Sequence, residues 1–436
     1  MTIRFVSVFA VTLLAWTLVG CGSSGSSPSP SPSPPVVSNV VVDFGSSQQA
    51  IRGFGGSSAW IMDMNAHPAQ ADALYGNSGS QQIGLSILRV RIDPSSVTGG
   101  SNWDTEVSNA LAAIAAGSNV SVIATPWTPP AAWKINIPDP TNPVAEGSLD
   151  PNHYSDYAAY LESFVTYMAY RGVNLYGISM QNEPDANVNH ESCAWTPAQM
   201  DTWVANNSSV LTTRLIMPES EGFNTSYSDP ALNDANAVGH IAIIGGHLYG
   251  AAPFLYTNAE NLGKDVWMTE HAISDTGLTG ALELAKEVHD SMTVGNYNAY
   301  VYWWLQNWTV NNPSPYANGL IDDPGQDNNL TLNAYAMGQF SKFIRPGYVR
   351  SNATSNAASN IYVSAYKGSG HYVIVAINLG TADVDQPFVI QNQTVTSMTP
   401  YRTSATQNLA ELSVVGVTDN SFTYTLPARS ITTFVE

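Results

Sequence analysis

Charge is scarce in this chain. Of 436 residues only 11% are Asp, Glu, Lys or Arg, and 15 basic side chains face 34 acidic ones. A formal net charge of −19 with so few cations excludes a nucleic-acid partner, since phosphate recognition needs clusters of Lys and Arg. It also argues against an acidic polymer as ligand unless a local basic pocket overrides the field. Cysteine is nearly missing: there are two, Cys21 and Cys193. If Cys21 belongs to a processed leader, Cys193 stands alone and no intramolecular disulfide can form. Glu-Ser-Cys-Ala-Trp around Cys193 offers no base at a telling spacing, so a structural thiol is expected. His153, His190, His240, His247 and His271 are dispersed without zinc-like spacing, and Asp322, Asp323 and Asp327 do not match an EF-hand. No metal and no cofactor is expected.

What is plentiful is neutral and aromatic: 11 Trp, 21 Tyr and 33 Gly within a 44% hydrophobic chain. Such surfaces stack on and hydrogen-bond to neutral polar ligands. Arg4 followed by the uncharged apolar run Phe5 to Gly20 reads as targeting, too short and too near the terminus for a permanent span. The run ends in Leu18-Val19-Gly20-Cys21, which resembles the lipobox of bacterial lipoproteins and implies lipidation at Cys21. A plain secretory signal cut nearby is the alternative. Residues 1–21 are thus expected to be a lipoprotein-type signal peptide. Residues 22–36 are expected to form a linker, Gly22 to Pro35 being Ser, Gly and Pro alone, which cannot bury a core. The protein is expected to be secreted or held outside the cytoplasm by that lipid anchor, and to act as a monomer.

Beyond the linker, short apolar runs alternate with helical patterns. Strands are expected at Ile51–Trp60, Leu85–Ile92, Val120–Pro126, Leu175–Asn182, Leu215–Pro218, Ile241–His247, Val266–Glu270 and Ala299–Leu305. Val107, Ala110, Leu111 and Ile114 form one helical face, and Tyr157, Tyr160, Leu161, Phe164 and Met168 another, stopped by Gly172. Eight strands, each followed by room for a helix, predict an α/β fold, a (β/α)8 TIM barrel over 51–345. After about Ser351 helical faces cease. Short strands at Ile361–Tyr366, Tyr372–Asn378, Phe388–Gln391, Phe422–Leu426 and Ile431–Val435 predict an attached C-terminal β-sandwich over 346–436. The extended segment 37–50 is expected to join that sheet.

Reactive groups in such a barrel sit where strands end in loops on the C-terminal face. Two carboxylates do so: Glu183, in Gln181-Asn182-Glu183-Pro184 at the fourth strand, and Glu270, in Met268-Thr269-Glu270-His271 at the seventh. Glycosidic cleavage needs this pairing, a protonated acid for the leaving oxygen and an anion for the anomeric carbon. Strands four and seven face each other across the barrel mouth. Trp60, Trp127, Trp303 and Trp308 lie at or beyond strand ends and are candidate walls for sugar rings.

Asn182-Glu183-Pro184 with a Glu at strand seven resembles the clan of retaining β/α-barrel glycosidases. Within it the chain is similar to glycoside hydrolase family 30, especially the bacterial endo-xylanases called glucuronoxylanases. The matching stretches include Gly53-Phe54-Gly55-Gly56, Leu85-Ser86-Ile87-Leu88-Arg89, Pro126-Trp127-Thr128-Pro129-Pro130 and Gly246-His247-Leu248-Tyr249-Gly250. The resemblance runs from about Val40 to Val435. It implies Glu183 as acid/base, Glu270 as nucleophile and Asn182 on the sugar 2-hydroxyl. It also implies Tyr249 and Arg89 beside Glu270, with His247 in support, and xylan as the polysaccharide partner. Other activities of that family, a β-glucosidase or β-1,6-glucanase, use the same two glutamates. A non-catalytic carbohydrate-binding lipoprotein is a more distant reading.

The sequence departs from that pattern in one respect. Glucuronoxylanases carry an Arg after the eighth strand that clamps glucuronate, whereas Trp303-Trp304-Leu305-Gln306-Asn307-Trp308 has no Arg or Lys nearby. His271-Ala272-Ile273-Ser274-Asp275 also lacks the Tyr-rich pattern expected there. Gln306 and Asn307 can donate hydrogen bonds but no charge, a poor substitute for a bidentate guanidinium. Activity that does not require glucuronic acid branches is expected.

Overall fold

The computed structural model describes residues 37–60, 62–96, 101–186, 188–307, 318–322 and 329–436. Cys21, the segments 1–21 and 22–36, and Trp308 therefore lie outside the described residues. Val37–Glu436 forms one compact unit.

Eight parallel strands close into a barrel. In chain order, barrel strands one to eight are Gly53–Ser57, Ile87–Ile92, Ser121–Pro126, Leu175–Ser179, Arg214–Ser220, Ile241–His247, Asp265–Glu270 and Ala299–Tyr302. Each overlaps one of the expected runs, and the eighth closes on the first, with Tyr300 opposite Phe54. Side chains alternate across a strand, so each strand feeds two environments. Inward-facing Ile87, Ile123, Ile216, Ile243, Trp267, Ala299 and Val301 form a dry plug. Two residues further along the same faces come Arg89, Thr125, Thr269 and, four beyond Ile243, His247. An apolar floor thus carries a polar layer at the open end.

The outward faces pack on helices. Tyr157, Tyr160, Leu161, Phe164 and Met168 of helix Tyr154–Tyr170 are all buried, and the chain leaves the helix through Gly172 at φ 90°. Helix Ser101–Ala116 is rotated from the expected face. Val107 and Ala110 are buried, but Leu111 and Ile114 stay 42% and 39% exposed, and Trp103 and Ala113 take the inner positions. The bulk of Trp103 decides this: its ring lies 4.9 Å from Phe164 and its indole N–H donates to the Asp93 carbonyl at 3.0 Å.

The C-terminal strands build a curled, mostly antiparallel sheet that wraps on itself as the sandwich. Strand Val40–Ala50 enters it between Val349–Ala353, antiparallel, and Val384–Gln391, parallel. Phe44, Phe388, Phe422 and Phe434 fill its interior. Its other face, through Tyr366, Val373, Val375 and Ile431, continues the barrel's outer core. Gln339 on helix Leu332–Ser341 ties the two layers, donating to Thr403 at 2.8 Å and accepting from Thr433. Two longer strands absent from the sequence reading are Val349–Ala353, with Arg350, Ser351 and Asn352 and no apolar alternation, and Ser397–Thr403, where only Met398 and Pro400 alternate inward. Among the described residues no helix is long and apolar enough to cross a membrane.

The glycines of barrel strand one allow its neighbours to close in. A Cβ on Gly55 would lie 2.2 Å from the Ile87 carbonyl oxygen, so Ala fits only if the two strands part. Gly55→Ala is expected to destabilise the fold by about 1–3 kcal/mol. An unchanged urea midpoint would show that the strands are not so closely packed.

Candidate active site

Glu270 ends barrel strand seven, and Glu183 follows strand four in the loop above it. The backbone carries Glu183 at φ 42°, a left-handed conformation unusual for a residue with a Cβ. Two bonds hold it there: Asn182 N–H donates to the Pro126 carbonyl at 2.8 Å, and Glu183 N–H to the Glu219 carbonyl at 2.9 Å. The turn is thus pinned to strands three and five. An oxygen of Glu183, a nitrogen of His247 and an oxygen of Glu270 all lie within 4.8 Å of one another. The two carboxylates expected from sequence do meet.

Arg89 organises this cluster from barrel strand two. It is fully buried, and its guanidinium reaches Glu270 Oε2 at 2.5 Å, Asn182 Oδ1 at 2.7 Å and Glu219 Oε1 at 3.3 Å. Because Arg only donates, the Asn182 atom facing it is oxygen, which frees the amide Nδ2 for another acceptor. Tyr249 donates its hydroxyl to Glu270 Oε1 at 3.0 Å, so both Glu270 oxygens accept hydrogen bonds. His247 Nδ1 lies 2.9 Å from Glu183 Oε1, and its Nε2 3.9 Å from Glu219 Oε1.

Burial opposes every charge here, and the partners decide the outcome. His247 is held down by burial, yet Glu270, Glu183 and Glu219 raise it to about 9. Glu219 is pushed up by burial but brought down to about 2 by Arg89 and then His247. Burial raises Glu270, aided by Glu183 and opposed by His247 and Arg89. The donors on both its oxygens favour the anion, since a neutral acid would have to place its proton on an oxygen that already accepts. Glu183, His247 and Glu270 are also the one group of potential metal ligands among the described residues. An imidazole charged below about pH 9 has no lone pair for a metal, and Arg89 adds positive charge beside it.

Above the carboxylates opens a cleft of about 810 Å³ walled by Trp60, Trp127, Tyr249, Trp303 and Trp304. Trp60, at φ 64°, sets its ring 4.8 Å from Trp127 and 6.0 Å from Trp303. Trp304, Glu191, Glu221 and His190 also line the cleft and were not singled out from sequence. They sit in loops, where no periodicity marks a residue's direction. Glu219 was missed as well, although its place after the fifth strand run was a usable signal. Gln306 and Asn307 do not face a ligand as neutral donors: both are buried, and Asn307 engages Asp322 and the Gly319 amide. Cys193 is buried, its thiol pushed up to about 12 by burial, which suits packing rather than attack.

These shifts fix a pH dependence. His247, raised from 6.5 to about 9, contributes stability in full below about pH 6.5 and loses it as pH rises through about 9. Glu219, lowered from 4.5 to about 2, contributes above about pH 4.5 and loses it as pH falls through about 2. The melting-temperature gap between wild type and His247→Gln should therefore hold up to about pH 6.5 and shrink through about pH 9. A gap that stays constant to about pH 10 would contradict a charged His247.

The family model for the glycosyl hydrolase family 30 TIM-barrel domain matches residues 107–261. Glucuronoxylanase XynC of Bacillus subtilis strain 168 is 38% identical over 410 residues, covering 91% of this chain and 92% of that one. Among solved structures, the family 30 subfamily 8 xylanase Xyn30A of Clostridium acetobutylicum is 43% identical with a TM-score of 0.83, covering 91% of this chain and 99% of that one. A family 30 endoxylanase of Clostridium papyrosolvens C71 is 41% identical with a TM-score of 0.81, at the same coverage. With the barrel, the sandwich and the paired carboxylates alike in hand, the chain belongs to glycosyl hydrolase family 30 and is a glycoside hydrolase.

Proposed function

We propose that this enzyme cleaves β-1,4-xylosidic bonds within xylan with retention of configuration, and that it does not require glucuronic acid branches. The observation that carries the mechanism is the approach of Glu183 and Glu270 within 4.8 Å. Direct attack needs carboxyl groups about 5–5.5 Å apart, whereas an inverting enzyme leaves about 6.5–9.5 Å for a water.

Each contact then has a chemical role. His247 Nδ1–H donates to Glu183 Oε1, so the acid's proton sits on Oε2. Glu183 passes that proton to the glycosidic oxygen as a Glu270 oxygen bonds to the anomeric carbon and the C–O bond breaks. Arg89 and Tyr249 keep Glu270 ionised and aimed before attack. Asn182 Nδ2 meets the sugar 2-hydroxyl, a bond that strengthens as positive charge develops at the ring. In the second step Glu183, now a carboxylate, takes a proton from water, the water oxygen bonds to the anomeric carbon, and Glu270 leaves. Preorganised donors around developing charge supply much of such a rate enhancement.

Xylan as substrate is supported by the xylanase relatives and by indole walls suited to the apolar faces of pyranose rings. The independence from glucuronate rests on charge. The described cleft lining holds Glu183, Glu191, Glu221 and Glu270 and no Lys or Arg. Arg91, 5.3 Å from the Trp60 ring, is already engaged by Glu191 and Asp93. From Glu287 through Ser341 the sequence contains no Lys or Arg at all. We further place the catalytic unit outside the cytoplasm, anchored by lipid at Cys21 and spaced by residues 22–36.

One panel tests the reaction and the substrate. Wild type is expected to cut unsubstituted xylan as well as glucuronoxylan, releasing products with retained configuration. Glu270→Gln should abolish both activities. Glu183→Gln should slow xylan by roughly a hundred- to ten-thousand-fold while sparing aryl xylosides whose phenol leaves unprotonated. Cleavage of glucuronoxylan alone, at one bond per branch, would overturn the substrate assignment. For the anchor, Cys21→Ala is expected to move activity from the membrane fraction to the medium, and activity already free in the medium for the wild type would refute lipidation.

A further inference from the structure

Under the two catalytic carboxylates lies a third acid with no contact to solvent. Glu219 is fully buried near the end of barrel strand five. That strand is bulged: Pro218 pairs with Gly245 and Ser220 with Gly246, leaving Glu219 as the extra residue, at φ 56°. Its carboxylate meets Arg89 Nε at 3.3 Å and His247 Nε2 at 3.9 Å, and accepts from the Thr125 hydroxyl at 3.0 Å. Its backbone carbonyl accepts the Glu183 N–H. Each cation on Glu219 has a second carboxylate: Arg89 holds Glu270, and His247 holds Glu183.

The charges can be counted across every wall that packs on Glu219. Arg89 comes from strand two, Thr125 from strand three, Ser179 from strand four and His247 from strand six. Glu183 and Glu270 stand beyond the two cations, with neutral Tyr249 on Glu270. Two cations balance Glu219 and Glu270, so the cluster is neutral when Glu183 carries a proton. Without Glu219, and with His247 still charged, it is neutral when Glu183 has lost that proton.

We propose that Glu219 is a positioning residue that keeps the catalytic proton on Glu183, by neutralising one of the two buried cations and anchoring the turn that carries Glu183. It touches no substrate and acts through Arg89, His247 and the backbone. The inference rests on the reading of Glu183 as acid and Glu270 as nucleophile. Removing the Glu219 charge favours ionisation of both catalytic carboxylates, so both limbs of the pH profile move the same way.

The test is the pH dependence of kcat/KM on xylan for Glu219→Gln, which keeps the side chain's shape. Both limbs are expected at lower pH, the basic limb by about one unit or more. The loss at neutral pH should be large for xylan and small for an aryl xyloside with a good leaving group. A role in packing alone would lower activity on both substrates and leave the limbs in place, and that result overturns the proposal. If Glu219→Gln does not fold, Glu219→Asp keeps a charge there but draws it back from Arg89 and His247. It should show a smaller shift in the same direction, and unmoved limbs there overturn the proposal equally. Glu270→Gln, run alongside, separates the two readings. If it is inactive, unmoved limbs count against Glu219 alone; if it is active, the catalytic pair itself is misassigned.

Discussion

A guanidinium shut away from water must be matched by acceptors and opposite charge, and the open end of this barrel is arranged around that requirement. Arg89 is fully buried and contacts Glu270, Glu219, Asn182 and Thr125. Removing one partner of such a buried pair costs about 3–5 kcal/mol, because the remaining charge is left unmatched. Replacing a whole buried ion pair by apolar residues is often neutral or stabilising. The cluster therefore adds little to the fold that an apolar plug would not, and its value lies in fixing two carboxylates and an amide in one geometry.

The backbone supports that geometry at some conformational cost. Trp60, Glu183 and Glu219 all take positive φ, at 64°, 42° and 56°, and each lies just past or near the end of a barrel strand. Pairing shifts by one residue at Glu219 on strand five and again between Met268 and Glu270 on strand seven. Bulges re-aim side chains, and these two lie beside Glu219 and Glu270. Beneath, the packed plug of Ile87, Ile123, Ile216, Ile243 and Trp267 gives these strained ends a rigid floor.

The walls of the cleft follow a different logic from its floor. Indole rings from Trp60, Trp127 and Trp303 cluster with centroids 4.8 to 6.0 Å apart, offering apolar faces with fixed orientation. The charged groups among the described lining residues are acidic, and the cations beside the indoles, Arg89 and Arg91, are engaged by Glu270 and by Glu191 and Asp93. Among the described residues the cleft therefore offers apolar ring faces and carboxylates, the chemistry on which the proposed preference for a neutral polymer rests. The scarcity of Lys and Arg in the whole chain is thus expressed locally at the site.

The sequence by itself determined the eight strand runs, because each is a short apolar stretch bounded by turn residues, and the position of Glu183 and Glu270 at strand ends. It also determined the buried face of helix Tyr154–Tyr170, whose apolar spacing matches the helical period from Tyr157 to Met168. It could not determine the rotation of helix Ser101–Ala116, where Trp103 outweighs Leu111 and Ile114 for the inner side. Nor could it mark strand Val349–Ala353, which pairs without apolar alternation, or Ser397–Thr403, where the alternation is limited to Met398 and Pro400. Glu191 and Trp304 entered the site only through tertiary structure, as did the inward aim of Glu219. A bulge, a loop and a turn direct them, and none of these leaves a periodic trace. The pairing of Glu183 with Glu270 was legible because barrel topology places strand ends on one face. The network that charges and aims it joins strands two, three, five, six and seven, and only closing the barrel brings those residues within bonding distance.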